Sequence, residues 1–388
     1  MKSDMANSNL AKAKLVKNDE FYTQYIDIQK EIESYLEYDP DTFKNKTIYS
    51  NCDDPYESNF FRYFVLNFNR LGLKRLITTS YKPSPVANTQ IGLFGDDVTL
   101  EPVKGRPKIT ANKFIINEVG DVDGDGSFSL EDIALQLKAN KNNEWHPLKE
   151  DGDFRSAECV ELLKEADVVV TNPPFSLFRE YVAQLMEYKK RFLIIGNQNS
   201  ITLKEIFPLV KDNKVWFGCK KVKEFCKPDG SIQKFGNVGW FTNLDHGRRH
   251  QPLSLMTMRD NRKFNKKLEE KQAYEKYDNF DAIEVPFVDA IPSDYDGVMG
   301  VPVSFLDRYN PDQFEILGLT KTWFGAATKI YPEQIQVSKD NKKSKVTKLN
   351  DGAVLKIKEP PENKTYYIVK EKLYRQTFPR LLVKQKKK

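Results

Sequence analysis

Asn172-Pro173-Pro174-Phe175 follows the apolar run 166–171 (ADVVVT), which reads as a strand, and precedes 176–181 (SLFREY), which reads as a helix start. These residue types suit capture of a planar amine. An exocyclic aromatic amine is a poor nucleophile because its lone pair is delocalised into the ring. The side-chain oxygen of Asn172 and the backbone carbonyl of Pro173 can accept hydrogen bonds from its two N–H groups. That draws the nitrogen towards tetrahedral geometry and returns density to the lone pair. The prolines hold φ near about −65° and keep the carbonyl in place. Phe175 offers a ring on which a base can stack. In-line attack on an electrophilic methyl then needs positioning, not a covalent intermediate. The pattern points to methyl transfer from S-adenosylmethionine to an exocyclic amine, adenine N6 above all. The competing reading is a plain Asn-Pro turn. The strand before, the second proline, the aromatic and the helix after weigh against it.

A second pattern lies at 121–132 (DVDGDGSFSLED). Oxygen-bearing Asp121, Asp123, Asp125 and Ser127 occupy positions 1, 3, 5 and 7, glycine position 6, and Asp132 position 12 of a calcium loop. The expectation is a structural Ca2+ site away from the chemistry. An acidic Asp/Gly turn is the competing reading.

These residues need elements to hold them. Residues 26–38 read as an amphipathic helix, 47–51 as a first strand, and 60–68 as a helix with Ser58 or Asn59 as N-cap and Gly72 at its end. Residues 75–80, 166–171, 191–196 and 214–217 read as further strands, with helices near 158–164 and 203–210, and 239–242 as a late hairpin strand. Strands alternating with helices predict an α/β fold with a mostly parallel, doubly wound sheet. Asp53, Asp153 and Asn172 then fall at or near carboxyl ends of strands, where such sheets bind ligands. Residues 82–150, rich in Pro, Gly, Asn and Lys, read as an insertion with some β structure. Beyond 250 the pattern turns irregular, with a lysine-rich loop expected at 339–348. The division expected is a catalytic core over 1–250 and a mixed α+β target-recognition, DNA-binding region over 251–388.

With 388 residues the chain is long enough for two or three cores. The polar N-terminus carries no apolar signal-peptide core, and no run is apolar enough to span a bilayer. Four scattered cysteines without a C-x-x-C pair fit a reducing cytoplasm and argue against zinc. The net charge of +6 divides unevenly, as −5 over 1–218 and +11 over 219–388. The second half therefore has the footprint of a polyanion-binding region.

Several blocks resemble the EcoRI-type adenine-specific DNA methyltransferases: 19–24 (DEFYTQ), 51–64 (NCDDPYESNFFRYF), 71–77 (LGLKRLI), 152–156 (GDFRS), 167–185 (DVVVTNPPFSLFREYVAQL), 196–201 (GNQNSI) and 240–246 (WFTNLDH). They run collinearly, which is more specific than any one motif. The resemblance implies a Rossmann-like class I S-adenosylmethionine-dependent fold, duplex DNA as substrate and N6-methyladenine as product. It implies Asn172, Pro173, Pro174 and Phe175 as catalytic. Phe21, Tyr22 and Thr23 would lie along the donor, Asp53 and Asp54 would meet its amino acid part, and Asp153 and Phe154 its adenine. Asp53 and Asp54 alternatively cap a helix, and Asp153 closes a turn. The loop after the first strand has no glycine and the second strand no terminal acid, so no ribose partner is named.

A base in a duplex has to be flipped out to be reached. Arg248, Arg249, Arg259, Arg262 and Lys263 are the expected phosphate contacts, while His246 and His250 serve structure equally well. The expected role is either the modification enzyme paired with a restriction endonuclease or an orphan homologue without one, and a monomer is the expected state, since one strand can be methylated at a time. RNA or protein-amide methylation uses similar sites, and a non-catalytic DNA-binding or calcium-dependent interaction module is the alternative of a different class.

Overall fold

The computed structural model describes residues 22–52, 58–81, 111–126, 128–139, 142–226, 231–269 and 271–386. Phe21, Asp53, Asp54, Ser127 and residues 82–110 lie outside the described residues. The chain divides into two compact units, Met1–Gln198 with Val215–Gly247, and Asn199–Lys214 with Arg248–Lys388. Among the described residues no helix is long and apolar enough to cross a membrane.

The first unit is built on an eight-stranded sheet, ordered β5-β4-β3-β2-β6-β7-β11-β8. The strands are β2 (Thr47–Ser50), β3 (Arg75–Thr79), β4 (Asn112–Ile116), β5 (Glu144–Pro147), β6 (Val168–Thr171), β7 (Arg191–Asn197), β8 (Trp216–Lys221) and β11 (Val238–Thr242). β3, β2, β6 and β7 are mutually parallel. β4 and β11 run opposite to their neighbours, and β5 and β8 turn back to the first sense. Every residue of β2 and of β6 is buried, as parallel strands covered on both faces require.

Residues 112–147, read from sequence as part of an insertion, are the edge of this sheet. Phe114 explains their docking: it is 1 % exposed, stacks on Trp145 at 5.9 Å and meets Phe61 at 6.0 Å. Burying such rings outweighs the loop-like composition around them, at about 1.5–3 kcal/mol each.

Helix α1 (Tyr25–Leu36) buries Ile28, Ile32 and Tyr35. Helix α2 (Asn59–Leu66) starts at Ser58, whose hydroxyl accepts from the Phe60 amide, and buries Phe60, Phe61, Tyr63, Phe64 and Val65. A short turn α3 (Phe68–Leu71) ends at Gly72, which sits in the left-handed region at φ 60°. The other helices of this unit are α4 (Leu130–Ala139), α5 (Ala157–Glu165) and α6 (Phe178–Glu187). A separate three-stranded sheet joins β1 (Tyr22–Thr23), β9 (Glu224–Cys226) and β10 (Ile232–Lys234) in the order β1-β9-β10.

The second unit is predominantly β among the described residues. One sheet orders β12 (Ile283–Glu284), β13 (Met299–Pro302), β20 (Arg380–Gln385) and β14 (Phe314–Leu319). The other orders β16 (Lys343–Val346), β15 (Gln334–Val337), β18 (Tyr366–Val369), β19 (Lys372–Gln376) and β17 (Val354–Ile357). Its α-helices are α7 (Phe207–Lys211) and α8 (Met258–Phe264). The expected lysine-rich loop is largely the β15–β16 hairpin. Its lysines mark an edge strand, where charge blocks further pairing. Within this unit Arg380 grips the buried Glu284 with two hydrogen bonds of 2.7 and 3.1 Å, and Tyr277 donates to the same carboxylate.

Candidate active site

β2 and β6 are stitched together beyond their ladder. Ser50 Oγ donates to the Val170 carbonyl at 2.7 Å, and the Cys52 amide to Thr171 Oγ1 at 3.2 Å. Asn51 therefore ends β2 beside the point where Asn172 leaves β6. Pro174 is extended, with φ −55° and ψ 126°. The Leu177 amide donates to its carbonyl at 3.0 Å, which closes a 3-10 turn over Phe175–Leu177 before α6 begins. The helix thus starts two residues later than the sequence reading placed it, because Leu177 bonds three residues back instead of four. Pro173 is buried, while Asn172, Pro174 and Phe175 keep part of their surface in solvent.

The Phe175 ring stands edge-on to Phe225 (6.5 Å, 87°) and Phe235 (6.2 Å, 78°), which meet each other at 5.5 Å. Phe225 pairs in register with Thr23 of β1, and Asn59 Nδ2 donates to the Thr23 carbonyl at 2.8 Å. The β1 backbone, the start of α2 and Phe175 thus share one neighbourhood.

Tyr181 of α6 donates to Asn51 Oδ1 and stands edge-on to Phe154 at 5.0 Å. Gln184 Nε2 donates to the Phe154 carbonyl at 3.0 Å. Next to Phe154, Gly152 has φ +77°, and a Cβ there would lie 2.0 Å from the Ser80 carbonyl oxygen. Glycine is what lets this loop lie against the end of β3. Asp153 Oδ1 accepts from the Arg155 amide and Nε, and Oδ2 pairs with Arg155 Nη2 at 2.6 Å. Arg155 also reaches Glu180 at 2.9 Å. The Asp153 carboxylate beside it pushes the Arg155 guanidinium further up. Burial pushes the Tyr81 hydroxyl up, and Asp151 and Asp153 add to this.

The site expectations fare differently. Asn172–Phe175, Thr23, Asp153 and Phe154 gather around the carboxyl ends of β2, β3 and β6, while Phe21, Asp53 and Asp54 fall outside the described residues. Tyr22 is described through its backbone, in β1. Phe154 is only 4 % exposed, with Arg155 5.2 Å from its ring. Asn51 and Tyr181 carried no assigned role. The buried stripe Phe178, Tyr181, Val182, Leu185 marks Tyr181 as interior, and an interior hydroxyl needs a partner.

Would a donor such as S-adenosylmethionine fit these residues? Asn51 is 2 % exposed, and its Nδ2 has no hydrogen-bond partner among the described residues. A buried amide donor left open at a strand end suits a polar ligand, so the residues fit.

Of the cationic candidates, Arg249 is 7 % exposed and donates to Asn213, so its guanidinium is turned inward instead of offered to phosphate. Arg248 is half-buried. Arg259, Arg262 and Lys263 are exposed together on α8. His246 is buried, with Nε2 3.0 Å from the Phe217 carbonyl, a structural placement.

In the 121–132 loop, carboxylate oxygens of Asp121, Asp123 and Asp132 lie within 4.8 Å of one another. Asp125 is outside that trio and Ser127 outside the described residues. Backbone amides engage these carboxylates: Gly124 and Gly126 donate to Asp121, Asp125 to Asp123, and Val122, Asp123 and Ser129 to Asp132.

Comparison with known proteins adds a family. Residues 9–386 match the family model described as adenine-specific methyltransferase EcoRI. The chain is 40 % identical over 339 residues to the Type II methyltransferase M.EcoRI of Escherichia coli, covering 83 % of this chain and 92 % of that protein. It is 34 % identical over 326 residues to the Type II methyltransferase M.MpnI of Mycoplasma pneumoniae, covering 79 % and 84 %. It is also 34 % identical over 325 residues to M.MgeORF184P of Mycoplasma genitalium, with the same coverage. No solved structure matches the chain.

Proposed function

The chain belongs to the EcoRI family of adenine-specific methyltransferases, and from that premise we propose that it methylates N6 of an adenine flipped out of duplex DNA, with S-adenosylmethionine as donor. The observation that carries this reading is the Asn172–Phe175 motif leaving β6 beside the open amide of Asn51. We read the eight-stranded sheet, with antiparallel β11 between β7 and β8, as the Rossmann-like class I arrangement. We assign target recognition to the basic second unit, and a restriction endonuclease as the functional companion of a monomeric enzyme.

When bound, S-adenosylmethionine supplies an electrophilic sulfonium methyl. Asn51, Thr23, Asp153 and Phe154 are the described residues that would hold the donor. Asn172 Oδ1 and the Pro173 carbonyl would accept from the two N–H groups of the target amine and direct its lone pair. Phe175, braced by Phe225 and Phe235, would stack on the base. Extruding the base costs a few kcal/mol of unstacking, which contacts to the flipped base must offset.

The test is transfer of labelled methyl to unmethylated bacterial DNA, with product bases resolved by mass spectrometry and Asn172→Ala run alongside. N6-methyladenine from the wild type, with turnover lower by about two orders of magnitude or more and DNA affinity nearly unchanged in the variant, is the expected result. Label in RNA or protein but not in DNA would overturn the substrate, and an active Asn172→Ala would overturn the assigned role.

For the 121–132 loop we propose a structural Ca2+, on the convergence of Asp121, Asp123 and Asp132.

A further inference from the structure

The segment 259–271 carries six lysines and arginines against three acidic residues. It folds as α8 followed by a 3-10 turn at Lys266–Leu268. Three fastenings hold it in the second unit. The Thr257 hydroxyl accepts from the Asp260 amide at 3.1 Å, the Met258 amide donates to Asp294 at 2.7 Å, and Asn265 caps the turn through the Lys267 amide. Asn261 and Leu268 point inward, 0 % and 7 % exposed.

Arg259, Arg262, Lys263, Lys266 and Lys267 are all exposed. Lys267 is paired with Asp289, and Arg262 lies 5.5 Å from the Tyr274 ring. Arg259, Lys263 and Lys266 have no carboxylate partner among the described residues. Among these cations stands Phe264, a phenylalanine 62 % exposed, with the Lys263 ammonium 4.9 Å from its ring. An isolated exposed aromatic is unremarkable on its own. One fixed at the end of an anchored helix, with Lys263 against its ring and Arg259 and Lys266 exposed on the same segment, has the chemistry of a duplex contact: cations for phosphates and an apolar ring for bases.

We propose that α8 and its following turn grip the phosphates of duplex DNA, and that Phe264 inserts against the bases of that duplex. The proposal rests on the reading of duplex DNA as substrate. The cations set the salt-dependent part of binding. Phe264 acts on base stacking, a step that the bulk of binding does not report.

The experiment uses the full-length enzyme with duplexes over the site taken from mapping the marked positions: 2-aminopurine is placed in turn across that site for fluorescence, and the unmodified duplex is used for turnover, because 2-aminopurine has no N6 amine to methylate. Phe264→Ala should lose most of the fluorescence rise on binding and lower kcat/KM about ten-fold or more, in line with the usual strength of base–aromatic stacking. It should keep the wild-type slope of log K against log salt and the wild-type melting point, and Phe264→Trp should restore the fluorescence. The double variant Arg259→Gln, Lys263→Gln should flatten the salt slope by about two. Wild-type fluorescence and kcat/KM in Phe264→Ala, or an unaltered slope in the double variant, would sink the proposal. Loss of melting temperature in Phe264→Ala would make the ring structural and also overturn it. No methylation of DNA by the wild type would instead remove the substrate reading beneath it.

Discussion

Tyr181 donates its hydroxyl hydrogen to the side-chain oxygen of Asn51, across 130 residues of sequence. The bond ties the helix behind the Asn172 motif to the end of β2, and the Asn51 Nδ2 is left without a hydrogen-bond partner among the described residues. Tyr181→Phe should cost about 1–3 kcal/mol, because the buried Asn51 oxygen loses its hydroxyl donor and keeps only the weak Cys52 thiol at 3.6 Å. The melting point should fall by a few degrees. Donor KM should rise more than kcat falls, since Asn51 is freed to rotate. Unchanged melting and KM together would show that the bond orients nothing.

Gly152→Ala should be severe. Its Cβ would meet the Ser80 carbonyl at 2.0 Å from a φ of +77°. Backbone strain alone is on the order of 1–3 kcal/mol. Donor binding, followed by calorimetry, should drop with stability. Gly236→Ala is the control, because a Cβ there meets nothing within 4 Å. Equal effects of the two substitutions would contradict the close approach of this loop to β3.

Glu31 predicts a pH effect. It is 0 % exposed on α1 and accepts from the Cys219 and Lys220 amides at 2.8 and 2.6 Å. Burial pushes its carboxyl up to about 7, and the two amides only partly oppose this. The folded chain therefore holds this proton to higher pH than the unfolded chain, whose Glu31 titrates near 4.5. Stability contributed by Glu31 is fully present below that ordinary value and is lost as pH rises towards 7, by on the order of 3 kcal/mol at most. Urea unfolding at pH 5 and pH 8 measures it. Glu31→Gln should remove this part of the slope, and an identical slope in the variant would refute the assignment.

The Ca2+ site proposed for the 121–132 loop would be separable from catalysis. Millimolar Ca2+ should release or absorb heat on titration into the enzyme and raise its melting point, and Asp123→Ala should abolish both. Methyl transfer should be unchanged in the variant. No heat with the wild type would reduce the 121–132 loop to an acidic turn held by its own amides.

The Asn172–Phe175 motif was legible in the chain because its information is local. An apolar strand, two prolines that fix φ, an aromatic and a helix start all lie within about twenty residues, and each constrains its own neighbourhood. The same holds for the alternation of strands and helices, for Ser58 as N-cap and for Gly72 as stop. Local pattern was therefore enough for the reaction class, the family and the parallel heart of the sheet. The folded arrangement set what depends on distant partners. It turned residues 112–147 from an insertion into a sheet edge, because Phe114 finds Phe61 and Trp145. It drew Arg249 inward to Asn213 and left Arg259, Lys263 and Phe264 on the surface. It joined Tyr181 to Asn51 and set Phe225 and Phe235 against Phe175. Local pattern reports the preference of a backbone. Which arginine is buried, and which amide is left without a partner, are set by packing between residues that only the folded chain brings together.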